Sequence, residues 1–435
     1  MAKMVWGMLG AGRSISERRT RTLEVGGVIK EFNNRAVPDL GNLWYAKQLF
    51  LALLGVHIAE RAREEVKFRV TNIEVANAIE ALGCIIAFGY CTWTQHERLL
   101  GSTKMRGKHD HSFRSMRHRD FYVTQPMRMG MLQPLLAFGL VKAKTTRFND
   151  YYCTPEGVAL LNIECEGTQL ITKLLNWVTK GATAPEHNES YRNILSQLEP
   201  LSKKTLLQIK ASIELGNASV ASPDGSAIHK PQRRSNALRW VQVLQSDPNQ
   251  EIDWKRKPVE IEQDHWSDLQ AGALFTNARD AAMKVLDDLE VSVAQRTDHR
   301  FPVSELKATF EKHLAPLRDA ARKFLDLDYS LINEATRFCA ECNDSDSVQL
   351  IINLVKRDER VLRFSQSQIV PGAAFRSYAS VASYTSEIEV AEPPKGLKLP
   401  LGTSYRIRNL YWLNVDLNLA DAQTLNSLAK AGVEG

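Results

Sequence analysis

Several short motifs in this chain could carry chemistry, and each is tested first by its spacing. Asp224, followed by Asp253-Trp254-Lys255, has the form of a metal-dependent nuclease site. Such a site needs both carboxylates on adjacent strands around Mg²⁺, with the lysine beside the attacking water. Asp224 falls in a Pro- and Ser-rich stretch expected to be a linker, which argues against that geometry. His109, His111 and His118 could ligate a metal, but they lie among cations and lack an acidic or cysteine partner nearby. Cys339-Ala340-Glu341-Cys342 is a single Cys-x-x-Cys pair, half of a zinc site at most. Gly10-Ala11-Gly12 has Ile15 where a dinucleotide loop needs its third glycine. Gly101 to Gly107-Lys108 is one residue too long for a phosphate loop, and His109 replaces its Ser or Thr. No catalytic motif survives, and no cofactor or metal is expected.

Charge is the stronger signal. Over residues 1–180, Lys and Arg outnumber Asp and Glu by 25 to 16, whereas the remainder holds 31 against 34. A basic N-terminal part joined to a near-neutral remainder implies a polyanion partner for the first and a protein partner for the second. The cations cluster in residues 101–120, where Lys104, Arg106, Lys108, Arg114, Arg117 and Arg119 suggest a loop or arm. A second group, Lys142, Lys144 and Arg147, falls between two strand-like runs.

The elements that must position these cations are mainly helical. Residues 43–65 and 72–88 read as two packed helices, the second opened by the capping box Thr71-Asn72-Ile73-Glu74. Within Phe121–Leu161, Thr124 and Pro126 suit a helix start, Pro134 divides or kinks the apolar stretch, and Gly139 suits its end. Leu140-Val141 and Phe148–Cys153 read as strands flanking the Lys142–Arg147 turn. Thr154-Pro155-Glu156-Gly157 then restarts a helix. Beyond a helical stretch at 190–215 interrupted by Pro200, residues 216–236 read as an exposed linker. Residues 265–295 and 303–327 imply an antiparallel helical hairpin, with Pro316 expected to kink the second helix. Short strands are expected within 364–415, for example Tyr405–Trp412. The implied domains are 1–180, a connector at 181–235, and 236–435. Six cysteines without dense spacing suit a reducing, cytoplasmic setting. The most apolar segment, Leu49–Ile58, reads as too short to span a bilayer.

The order helix, strand, basic turn, strand, helix over 121–165 resembles winged helix-turn-helix DNA-binding domains of the bacterial regulator kind. The likeness is carried by Ala137-Phe138-Gly139-Leu140-Val141, Arg147-Phe148-Asn149 and Cys153-Thr154-Pro155-Glu156-Gly157. It covers about a tenth of the chain, and Pro134 departs from an uninterrupted recognition helix. The resemblance implies base contacts from Gln125, Arg128 and Gln133, and phosphate contacts from Lys142, Lys144 and Arg147, with the 104–119 arm adding more. The expected fold is therefore mainly α, with a winged helix in a basic helical domain, then a linker, a helical hairpin and a short β-containing C-terminal region. The expected function is a non-catalytic DNA-binding subunit of a larger bacterial assembly, such as one in DNA maintenance or anti-phage defence. Residues 265–327 would contact another protein or a second copy. Rival readings are a transcriptional regulator, a Mg-dependent nuclease and a structural scaffold.

Overall fold

A computed structural model describes residues 21–215, 230–247, 252–375, 393–394 and 397–418. Gly10-Ala11-Gly12, Asp224 and most of the expected linker lie outside the described residues. The chain is mainly helical and forms two compact units. The larger comprises Glu31–Ala273 with Ser386–Gly435, and the smaller Met1–Lys30 with Leu274–Thr385. Their borders fall neither at 180 nor at 235. Two of them lie inside helices, α1 (Gly26–Ala36) and α12 (Gln263–Ala294).

In the larger unit, α2 (Ala46–Glu64) runs through the core, with every residue from Ala46 to Val56 buried and most of its charged residues gathered towards its C-terminal end. Its chief partner is α3 (Asn72–Tyr90). The capping box forms as expected: the Thr71 N–H donates to Glu74 Oε2 at 2.8 Å, and the Glu74 N–H donates to Thr71 Oγ1 at 3.2 Å. By length and composition α3 is apolar enough to cross a membrane, which Leu49–Ile58 is not, but 72% of its apolar window is buried within the protein. The two helices approach closely at Gly55, where an added Cβ would lie 2.5 Å from the Ala76 backbone. Gly55→Val is therefore expected to force the pair apart. The urea midpoint should fall by the equivalent of about 2 kcal/mol, and an unchanged midpoint would refute the close approach.

The arm follows as α4 (Ser102–Met105) and α5 (Phe113–Met116). A 3-10 turn at Met127–Met131 leads into α6 (Leu132–Ala137). Strands β1 (Val141–Ala143) and β2 (Tyr151–Cys153) pair antiparallel, with Val141 opposite Cys153 and Ala143 opposite Tyr151. Then come α7 (Pro155–Glu164), α8 (Leu170–Lys180), α9 (Glu189–Leu195), α10 (Lys203–Leu215) and α11 (Lys230–Ser246). The helix α11 begins inside the segment expected to be linker. Pro231 fits its first turn, and Arg233 is buried in ion pairs with Asp264 and Asp268 at 2.7 and 2.6 Å.

The smaller unit contains the rest of α12, then β3 (Phe301–Pro302), α13 (Val303–Leu325), α14 (Asn333–Cys342), α15 (Ser347–Asp358), β4 (Leu362–Ser365) and β5 (Gln368–Pro371). The expected hairpin forms: Phe275 meets Phe324, His313 lies near Asp288, and Arg296 pairs with Glu305, which is antiparallel contact along both helices. Helix α13 continues through Pro316. The apolar stripes, including Leu289 and Phe310, are buried, and α14 and α15 pack on α13 from the same chain. Cys339 and Cys342 are buried in this core, where burial raises both thiols, so they behave as packing residues. The sheet has the order β3-β5-β4 and is antiparallel throughout.

The strand expected at Tyr405–Trp412 is instead part of a helix, α16 (Tyr405–Leu417), in the larger unit. Its Tyr, Ile and Trp residues suit a strand by propensity. However, Ser404 caps it, and Ile407, Leu410, Leu413 and Leu417 recur at helical spacing and are buried.

Candidate nucleic-acid interface

The β1–β2 hairpin is held by its apolar residues and presents its polar ones. Val141, Tyr151 and Cys153 face inward, whereas Lys142 and Tyr152 are exposed. Lys144 and Arg147 are exposed at the turn, which is tied by a Thr145–Asp150 hydrogen bond and by the Arg147 N–H to Thr145 Oγ1 at 3.1 Å. Phe148 plugs the hairpin into the core. Asn72 Nδ2 donates to the carbonyls of Phe148 and Tyr151 at 2.8 and 2.9 Å. Asn149 Oδ1 accepts the Ile73 N–H at 3.1 Å, satisfying one of the orphan donors of the α3 N-terminus. Beyond the hairpin Thr154 caps α7, with Pro155 in the first turn, as its sequence required.

The arm is not the free loop its composition suggested. Met105, Phe113 and Met116 are buried single anchors. His111 pairs with Glu186 at 2.8 Å, and this hydrogen bond holds the imidazole pKa above its ordinary value despite partial burial. Trp177 Nε1 donates to the His111 carbonyl at 3.1 Å. Lys108 is occupied by the carbonyls of Asp120 and Phe121, at 3.3 and 3.2 Å, rather than by any phosphate loop geometry. Arg117 pairs with Glu74 and lies over the Phe113 ring. Burial alone would raise Glu74, but the Thr71 N–H and Arg117 outweigh it and leave the carboxyl below its usual value.

The residues expected to read bases are largely engaged within the protein. Instead of one recognition helix there is a 3-10 turn and a six-residue α6, with Pro134 in its first turn and Gly139 in the left-handed conformation at φ 71°. Thr124 does not cap this stretch, because the turn starts after Pro126. Arg128 bonds Asn77 and stacks over Phe148. Gln133 Oε1 accepts from Arg406 Nη2 at 2.9 Å. Gln125 is half-buried.

What remains is a set of exposed cations. Lys104, Arg106, Arg114, Arg119, Lys142, Lys144 and Arg147 are exposed and make no ion pair among the described residues. Residues 101–150 hold ten Lys and Arg against three Asp. The α3 N-terminus gathers the two segments, since it binds Arg117 of the arm and Asn149 of the hairpin. A third contributor was not foreseen. Lys67 and Arg69, on the loop between α2 and α3, are exposed and line an open pocket of about 480 Å³ with Arg63, Thr71 and Glu74. Their signal was the run Lys67-Phe68-Arg69, one residue ahead of a capping box, which sets it beside whatever meets that helix end.

Of the nuclease candidates, Asp224 lies outside the described residues. Asp253 and Lys255 share an exposed turn in which Asp253 Oδ1 accepts the Lys255 N–H at 3.1 Å. Of the three arm histidines, only His111 has a carboxylate partner among the described residues, and it is a salt bridge. The mixed metal-type donors that do converge among the described residues are His57, Glu60 and Cys153, at the base of the hairpin. Comparison with protein-family models, with curated proteins and with solved structures found no match to this chain.

Proposed function

We propose that this chain is a non-catalytic nucleic-acid-binding protein. It grips the phosphate backbone of duplex DNA through the hairpin, the arm and the α2–α3 loop. One observation carries the reading: exposed cations without ion-pair partners among the described residues are concentrated on segments fixed to one helix end. Cations held on a braced surface attract a polyanion without losing much side-chain or loop entropy. Base reading contributes little, because Arg128 and Gln133 already have partners in the protein. A role within a larger DNA-handling assembly fits the near-neutral remainder of the chain.

Fluorescence anisotropy with labelled duplexes of unrelated sequence tests this. All should bind with similar affinity, and log K should fall linearly with log salt by about 0.9 per phosphate contact. Supercoiled DNA incubated with Mg²⁺ or Mn²⁺ should stay intact. A strong preference for one sequence would restore base reading, and no binding at low salt would refute the proposal.

A further inference from the structure

The base of the hairpin carries a second feature, independent of its charge. His57 and Glu60 are three residues apart on α2 and so share a face. Cys153, the last residue of β2, comes from 93 residues beyond Glu60, yet its N–H donates to Glu60 Oε2 at 3.0 Å. One ligand atom from each of the three residues lies within 4.8 Å of the others. Around a tetrahedral zinc ion, with bonds of about 2.0 Å to N or O and 2.3 Å to S, donors sit about 3.3–3.8 Å apart. Closure thus needs shifts of about 1 Å, within reach of small side-chain rotations.

We propose that His57, Glu60 and Cys153 bind Zn²⁺ and so clamp the end of β2 to α2.

The donor set selects the metal. A thiolate and an imidazole disfavour Mg²⁺ and Ca²⁺, whereas zinc accepts S, N and O together. The charge balances: on binding, the thiol releases its proton to solvent, and thiolate plus carboxylate then neutralise the ion. No net charge is left in a partly dry site. The nearby Arg61 is held by Glu65 at 2.6 Å, which offsets its repulsion. Burial pushes the Cys153 thiol up, a cost that the metal–thiolate bond has to offset when the proton leaves. Three protein donors leave the fourth position to solvent. The clamp stabilises the strand that ends the cationic hairpin, but it does not depend on what the hairpin binds.

The full-length chain, stripped with a chelator, is titrated with Co²⁺ and then with Zn²⁺ against a chromogenic chelator. The expected result is one equivalent of Co²⁺ giving a thiolate-to-cobalt charge-transfer band, displaced by Zn²⁺. Cys153→Ser should abolish the band, and His57→Gln should weaken binding at least tenfold, while Cys91→Ser should leave both unchanged. Absence of the band in the unaltered chain overturns the proposal, whatever the variants do. So does a band that survives Cys153→Ser.

Discussion

Replacing Lys142, Lys144 and Arg147 together with alanine is expected to weaken binding to every duplex alike. At about 50 mM salt the loss should be on the order of tenfold per phosphate contact removed, and the slope of log K against log salt should fall by about 2.7 if all three contact phosphate. The argument rests on counterion release. Each cation that neutralises a phosphate frees a condensed ion, so its deletion shows in the salt dependence as well as in affinity. All three side chains are exposed and have no ion pair within the described residues, so their loss should change stability by no more than about 0.5 kcal/mol each. The fold is therefore its own control. Lys312→Ala removes an exposed cation from α13 in the smaller unit and should leave affinity and slope unchanged. An equal drop for Lys312→Ala would mean that overall charge, not the hairpin, drives binding. An unchanged slope in the triple variant would remove the hairpin from the interface.

Local rules made the supports of this surface legible before the surface itself. The Thr71–Glu74 box, the Thr154-Pro155 helix start and the Lys142–Arg147 hairpin each follow from residues a few positions apart. The arm was less legible because Met105, Phe113 and Met116 are isolated anchors with no period to reveal them. The α16 helix was missed because propensity favoured a strand. Its helical spacing mattered only through burial in the larger unit, against α11 and α2. The division within α12 left no trace, because one helix carries the chain across it and the apolar residues continue on both sides. The His57–Glu60–Cys153 group also depends on a long-range pairing. No spacing rule connects residues on a core helix to the end of a hairpin strand.

Glu80 was equally hidden, a lone acid in the apolar run of α3, and its removal should cost more stability than Gly55→Val. It is buried, and its Oε1 accepts from Tyr122 Oη at 2.9 Å and from the Met127 N–H at 2.7 Å. Its Oε2 accepts the Arg128 N–H at 3.0 Å. These donors belong to the segment that leads through the 3-10 turn and α6 into the hairpin. Glu80→Ala strands all three, at about 1–3 kcal/mol each, against which relief from burying a carboxylate recovers part. A net loss of about 3 kcal/mol is expected by urea unfolding. Glu80→Gln should lose about 1–2 kcal/mol, because its amide oxygen can serve Tyr122 and Met127 while its NH₂ confronts the Arg128 N–H. Burial raises the Glu80 pKa, and the three donors only partly oppose it. A raised folded-state value contributes stability fully below the unfolded value near 4.5, and that contribution is lost as pH rises through the folded value. The margin of the unaltered chain over Glu80→Gln, in which other titrations cancel, should therefore shrink as pH rises from about 4.5 towards the folded value, and level off above it. Amide exchange in residues 122–128 should rise in the alanine variant before it rises in α2. If Glu80→Ala unfolds at the same urea concentration as the unaltered chain, this carboxylate does not hold the hairpin's approach in place.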